Sequence, residues 1–186
     1  MVKKIMIIGA LVLSSGFMLP SCSILPGDKE DIKAEAGSDM PEFSDDIMFT
    51  MRIYEPWIYE SLHYTLMSDG TLIVLYYDTE LGRETLSDER MNEIEEYFSP
   101  EEVYEMDLGE EDDRTDGISR YIILYDADGN EIRLGGYELK GGDHFNRYYD
   151  KLYSLLEDDY TKQFSDLLNE CSADGTTYRE RYLSES

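Results

Sequence analysis

The sequence predicts an α+β domain in which an antiparallel sheet of about five strands, built from two hairpins, carries a long C-terminal helix on one face. Runs of aliphatic, aromatic and β-branched residues come in pairs separated by Asp-Gly turns, which is typical of β-hairpins. Near the end of the chain, apolar residues recur every three or four positions, as they do in an amphipathic helix. Because the strands are grouped rather than alternating with helices, the sheet is expected to be antiparallel.

The first group of strands is predicted at residues 47–54, 61–67 and 71–77, with the last two joined across Asp69-Gly70. All three runs are rich in Ile, Leu, Met, Tyr and Thr, residues that fit a pleated and half-buried surface. Asp-Gly between two such runs favours a tight hairpin turn.

Two helices are predicted after these strands. The first is expected to begin near Ser87 or Asp88, because apolar residues then follow at helical spacing. The second is expected to be short and to begin at Ser99-Pro100, since a Ser cap, Pro at the first helical position and Glu102 at the third form a helix start.

A second hairpin is predicted from residues 118–125 and 131–134, and the long helix is expected to begin near Asp143. Apolar residues continue from Phe145 to Leu168 at spacings of three and four. An apolar stripe of this kind is buried against another element. The helix is therefore expected to pack on one face of the sheet.

The first 21 residues have the composition of an export signal. Two lysines precede a continuous apolar run over residues 5–13, and Pro20 ends the apolar stretch soon afterwards. A positively charged start followed by about a dozen apolar residues is typical of a signal peptide. A transmembrane helix needs about 20 apolar residues, so a permanent membrane helix is the weaker interpretation.

Leu19-Pro20-Ser21-Cys22 resembles the lipobox of bacterial lipoproteins. The resemblance implies that a diacylglyceryl group is attached to the Cys22 thiol, that the chain is cut between Ser21 and Cys22, and that the protein is held on the outer side of a bacterial membrane. A redox or catalytic cysteine would need a nearby His, a second Cys or a helix start that stabilises the thiolate, and none accompanies Cys22. The second cysteine, Cys171, is expected to pack as a small apolar residue.

The domain organisation follows from these assignments. We expect a signal peptide at residues 1–21, the acylated Cys22 with a flexible acidic tether over 22–46, one globular domain over 47–171, and a loose tail over 172–186. The tether is rich in charge, Gly and Pro and lacks hydrophobic periodicity. No internal repeat is present.

The formal charge of the 186-residue chain is −26, which excludes nucleic acid as a direct partner because phosphate binding needs clusters of Lys and Arg. Disorder of the whole chain is not expected, since hydrophobic residues make up 41% of it. The predicted partners are membrane lipid, through acylated Cys22, and an extracellular glycan, peptide or protein.

An acidic loop before the second hairpin raises the possibility of calcium binding through Asp107, Asp112, Asp113 and Asp116. Hard cations prefer clustered oxygen ligands on flexible loops. In the calcium-binding register that starts at Asp112, however, Arg114 occupies a ligand position. A solvated acidic loop is therefore the favoured interpretation.

Aromatic residues are concentrated in one strand–loop–strand segment: Tyr54, Trp57, Tyr59 and Tyr64. Exposed rings would form a stacking platform for a sugar or a peptide. Buried rings would simply pack beneath the helices, and this is the favoured interpretation because strands favour aromatic residues.

Catalytic motifs are scarce. His63 and His144 are the two histidines, and no nucleophile elbow, zinc-protease motif, P-loop or dinucleotide fingerprint occurs. The leading hypothesis is a membrane-tethered, non-catalytic binding module that needs no cofactor. The alternatives are a small extracytoplasmic carboxylate-based hydrolase acting on glycan and a weak calcium-binding surface protein.

Overall fold

The computed structural model describes residues 40–55, 60–111 and 118–183, all within the compact unit Ala34–Ser186. The α+β prediction is confirmed, with six strands rather than five. The sheet is antiparallel throughout, in the order β4-β3-β2-β1-β5-β6. Its strands are β1 (Ile47–Glu55), β2 (Glu60–Met67), β3 (Thr71–Tyr76), β4 (Thr79–Thr85), β5 (Ser119–Tyr125) and β6 (Glu131–Tyr137).

The helices are α1 (Asp88–Tyr97), α2 (Pro100–Tyr104), α3 (Asp143–Leu156) and α4 (Asp159–Ala173), followed by a π-helical turn (Arg179–Leu183). The two predicted helix starts are confirmed. The Ser87 hydroxyl accepts a hydrogen bond from Arg90 N, and the Ser99 hydroxyl accepts one from Glu102 N, so each satisfies a backbone donor of a first turn. Within the described ranges, no helix is long and apolar enough to cross a bilayer.

The predicted Asp-Gly hairpin is present between β2 and β3. The Asp69 carboxylate accepts a hydrogen bond of 2.9 Å from Thr71 N, and Gly70 takes a left-handed φ of 83°. Only glycine adopts that conformation without steric cost, which explains why this pair of residues makes the turn.

The two faces of the sheet differ in what covers them. Met51 lies opposite Tyr64 and Ile122, and this face carries the core. The buried apolar side chains of the four α-helices all belong to the same hydrophobic cluster, so the helices pack on this core face.

The opposite face, here called the open face, carries the alternate residues of each strand. Thr50 lies opposite Thr65 and Ile123, and Arg52 lies opposite His63. No helix of the described part buries an apolar side chain against it. The strand register assigns these residues to the open face: Thr50, Arg52, His63, Thr65, Ile73, Leu75, Glu80, Arg83, Tyr121, Ile123, Tyr125, Glu131 and Arg133.

The predicted C-terminal helical region is present, but it is divided into two helices, with a break at residues 157–158. Asp158 begins α4 through a capping box, in which its carboxylate accepts from Thr161 N and the Thr161 hydroxyl accepts from Asp158 N. Arg90 fixes the junction, since its Nε donates to Leu155 O over 2.6 Å and its guanidinium also contacts Asp158.

The folded domain also extends beyond residues 47–171 at both ends. Residues 40–46, here called the leading segment, are held against the β5–β6 turn by hydrogen bonds from Ser44 N to Tyr125 O and from Ala127 N to Glu42 O, of 2.9 and 2.8 Å. In the predicted tail, Tyr178 is buried with its ring centroid 5.2 Å from that of Tyr76. The π-helical turn at Arg179–Leu183 follows Tyr178 directly.

Candidate binding surface

The four aromatic residues predicted as a possible platform are only partly described. Trp57 and Tyr59 lie outside the described residues, and Tyr54 is described only as a position of β1 paired with Ser61 of β2 and Ser119 of β5. Tyr64 lies on the core face and is 2% exposed, with its ring 5.7 Å from that of Tyr153. Tyr64 is therefore a packing residue and presents no ring to solvent.

The acidic loop is described only at its first predicted residue. Asp112, Asp113 and Asp116 lie outside the described residues. Asp107 is exposed, and its carboxylate accepts a hydrogen bond of 3.0 Å from Gly109 N, which is a local turn contact. Among the residues that the structure covers, no group of three or more His, Cys, Asp or Glu is arranged to hold a metal ion.

Arg52 and His63 are directly opposite each other on the open face, one on β1 and one on β2. The Nε of Arg52 is buried and makes no hydrogen bond within the described part of the chain. Its charge is delocalised over a rigid fork of donors that matches the geometry of a carboxylate. This buried donor without a described partner, on a face that none of the described helices covers, is the strongest chemical feature of this surface.

His63 is held in its neutral form. Burial, followed by the positive charges of Arg52 and Arg133, lowers the pKa of His63 from 6.5 to about 4. Its Nε2 lies 3.0 Å from the Ser61 hydroxyl, in a hydrogen bond whose direction depends on the tautomer. At neutral pH the ring therefore offers a neutral hydrogen-bonding group beside a fixed cation.

Arg52 differs from the two other arginines of the open face, because those two are already paired. Arg83 contacts Glu80 at 2.6 Å and Arg133 contacts Glu131 at 2.7 Å, both in exposed pairs. Arg52 has no ion pair in the residues that can be described. The described part of the chain therefore supplies no counter-charge to Arg52.

The centre of the open face is tightly ordered. The Thr50 hydroxyl lies 2.8 Å from the Thr65 hydroxyl and 2.9 Å from the Tyr125 hydroxyl, and Thr50 is buried. Ile123 is also buried but lies outside the main core cluster. The centre of this face, next to Arg52, is therefore closely packed and held by hydrogen bonds.

A second group of charges has a structural role. Arg90 joins Glu84 of β4 and Asp158 at the start of α4, and its Nε bond to Leu155 O closes the end of α3. Burial is the largest effect on Glu84 and raises its pKa, with the nearby Asp158 carboxylate acting in the same direction. Through these contacts, Arg90 connects β4 with the end of α3 and the start of α4, which explains why the charges are grouped there.

Sequence reasoning treated His63 as an ordinary sheet residue and did not select Arg52. The alternation of apolar and polar residues along β1 indicated that Arg52 lies on the face of the sheet that does not carry Phe49 and Met51. What the alternation could not indicate is that Arg52 would face His63 across the hairpin and remain unpaired.

Comparisons of the chain with protein families, with curated proteins and with solved structures found no match. Geometry and charge are therefore the grounds on which a function is argued.

Proposed function

We propose that this protein is a lipoprotein, acylated at Cys22 on the outer side of a bacterial membrane, whose folded domain is a non-catalytic binding module. Support for the anchor comes from the lipobox resemblance, and Cys22 itself lies outside the described residues. The open face is the binding surface, and its ligand is an acidic segment of a partner protein.

The observation that carries the ligand chemistry is the unpaired Arg52 Nε. A buried donor without a partner costs about 1–3 kcal/mol. A carboxylate from a ligand would remove that cost and add a charge-assisted, two-pronged hydrogen bond with the guanidinium. The free domain thus keeps a donor in place for an acceptor that the partner supplies.

The surroundings of Arg52 favour a polypeptide as the source of the carboxylate. Ile73 and Leu75 are half-buried on the open face, where they lie opposite Thr65 and His63 of β2. Interfaces between proteins combine such apolar patches with arginine and tyrosine anchors. A flat, ordered sheet surface suits an extended segment that carries both apolar and acidic side chains.

The net charge of −26 opposes an acidic ligand at long range. At about 0.15 M salt the Debye length is about 8 Å, so this repulsion is screened while a direct contact with Arg52 persists. Affinity is accordingly expected to change little, or to increase, as salt rises from low values to physiological ionic strength.

A calorimetric titration tests the binding surface. The ligand is a synthetic peptide that alternates Glu with Leu and Val, and the variant is Arg52→Met. Loss of a charge-assisted contact is expected to weaken binding about tenfold or more. Because Arg52 Nε makes no described hydrogen bond, the variant is expected to fold with unchanged or higher melting temperature.

Lys151→Met is the matched control, because it removes the same charge from an exposed position on α3. It is expected to leave the affinity unchanged. Equal affinity of the wild type and Arg52→Met, or equal binding of a peptide with Gln in place of Glu, would contradict the proposed ligand chemistry. The same holds if the wild type shows no saturable binding.

The anchor is tested separately. Cys22→Ala is expected to abolish incorporation of labelled fatty acid and to shift the protein out of the acylated membrane fraction. Ser23→Ala, one residue further along, is the control and should be acylated normally. A wild-type protein that takes up no fatty acid in a lipoprotein-processing bacterium would refute the anchor, whatever the open face binds.

A further inference from the structure

We propose that a cavity beside the leading segment binds an alkylammonium group. The cavity has a volume of about 270 Å³ and lies where the leading segment, the end of α1 and the end of β5 meet. Ligand sites for drug-sized molecules have volumes of about 300–1,000 Å³, so this cavity suits a smaller group. The proposal does not rest on Arg52 or on the acidic ligand, although Tyr125 belongs to both surfaces.

The inner wall of the cavity is apolar and largely aromatic. Phe98 is 9% exposed and packs against Phe49 at 4.6 Å between ring centroids. Phe43 and Met48 are half-buried and also line the cavity, as do Pro100 and Tyr125 at the end of β5. These rings and the Met48 side chain form a preformed surface for an aliphatic chain.

Two carboxylates lie at the rim. Asp45 and Glu95 both line the cavity and are exposed, and neither forms an ion pair with another described residue. None of the described lining residues is Lys, Arg or His. The cavity therefore has a negative rim for which the described residues provide no counter-charge.

An apolar aromatic wall with a negative rim matches one kind of group, a cation carried on an aliphatic chain. Aromatic ring faces attract an ammonium group by about 0.5–1 kcal/mol at exposed sites. The aliphatic chain would bury apolar area against Phe98 and Met48, while Asp45 and Glu95 would neutralise the ammonium. An anion would be repelled by both carboxylates, and a neutral alcohol would gain only the apolar part.

Amide chemical shifts of the isotope-labelled domain during titration with n-butylammonium test the proposal. At constant ionic strength, saturable shifts are expected at residues 43–48 and 95–98, with a Kd on the order of 1–10 mM for so small a ligand. The double variant Asp45→Asn, Glu95→Gln is expected to weaken binding about tenfold. Both substitutions are at exposed sites, so folding should be unaffected.

The matched control is Asp46→Asn with Glu96→Gln, because these exposed residues are the immediate neighbours and do not line the cavity. It makes the same change in net charge and is expected to leave binding unchanged. Equal weakening in both double variants would show only general attraction to an acidic protein, and n-butanol binding as tightly as n-butylammonium would show that the cation is not recognised. Either result, or no saturable binding, overturns the proposal.

The same titration distinguishes the two sources of an alkylammonium group. Tighter binding of a capped lysine peptide than of n-butylammonium would assign the cavity to a lysine side chain of a polypeptide. Tighter binding of 1,4-diaminobutane than of the peptide would assign it to a free amine. Both results support the ammonium chemistry.

Discussion

His63 is the residue whose ionisation is most strongly coupled to folding in the open face. Its pKa is lowered to about 4 by burial and by the charges of Arg52 and Arg133. Between the unfolded pKa of about 6.5 and the folded value, the unfolded chain binds more protons at this site. The stability that His63 contributes is therefore present above about pH 6.5 and is lost as the pH falls toward 4.

We predict that the free energy of unfolding of the wild type falls, relative to that of His63→Gln, by on the order of 2–3 kcal/mol between about pH 7 and pH 4.5. Urea titrations at several pH values measure this difference. His144→Gln, which changes an exposed histidine on α3, should follow the wild type. Parallel pH profiles for the wild type and His63→Gln would show that His63 titrates without effect on folding.

At the scale of single residues, the sequence predicted which face of the sheet a side chain lies on, but not which residues it contacts. Successive side chains of a strand point to alternate faces of the sheet. Thr50 and Arg52 therefore lie on one face of β1 and Met51 on the other. Arg83 and Arg133 pair with glutamates only three and two residues away, whereas the residues that face Arg52, His63 and Tyr121, come from other strands. The absence of a described partner for Arg52 therefore could not be predicted from the sequence and required the strand register.

At the element scale, the hairpins and helix starts were predictable because each has a local signal, Asp69-Gly70 for the turn and Ser87 and Ser99 for the caps. β4 was missed because Thr79–Thr85 contains two glutamates, an arginine and a glycine. Such a strand lies at the sheet edge and is stabilised by pairing with β3 rather than by its own propensity.

The break between α3 and α4 was missed for a different reason. The apolar spacing continues from Leu156 to Phe164 as though one helix were present, so periodicity alone cannot locate the junction. The local signal was the Asp158-x-x-Thr161 pair, which makes the capping box. Arg90 strengthens the junction from a distant part of the chain.

Burial of the helical stripe gives a direct prediction. Leu156 is 1% exposed at the end of α3, and Leu156→Asp should unfold the domain, because a buried unpaired charge costs several kcal/mol against a total of about 5–15 kcal/mol. Ser154→Asp on the exposed side of the same turn is the control. Circular dichroism and thermal melting distinguish the two, and wild-type stability of Leu156→Asp would mean that this face of α3 is not in the core.

At the scale of the whole molecule, the net charge of −26 sets the response to salt. The proposed cleavage after residue 21 would also remove Lys3 and Lys4 and would take the formal charge to −28. Self-repulsion weakens the folded state, so monovalent salt should raise the melting temperature gradually over about tens to hundreds of millimolar. Thermal melting across a salt series measures this effect.

At constant ionic strength, calcium is expected to raise the melting temperature no further than monovalent salt does. A calcium site would instead raise the melting temperature saturably at about millimolar calcium or below, because a ligand bound only to the native state stabilises it by mass action. Such a response, abolished by Asp112→Asn with Asp116→Asn, would favour the calcium-binding alternative.

The central claim is that the open face binds an acidic segment through Arg52, and the side-chain Nε–H resonance of Arg52 reports on it directly. During titration of the labelled domain with the Glu-containing peptide, this resonance should move downfield as Nε donates to a carboxylate, and shifted amides should cluster on β1, β2 and β5 around Arg52 and His63. The Gln-containing peptide should leave the resonance unmoved. A peptide that binds while the Arg52 resonance stays in place, with amide shifts confined to the helices, would contradict the account.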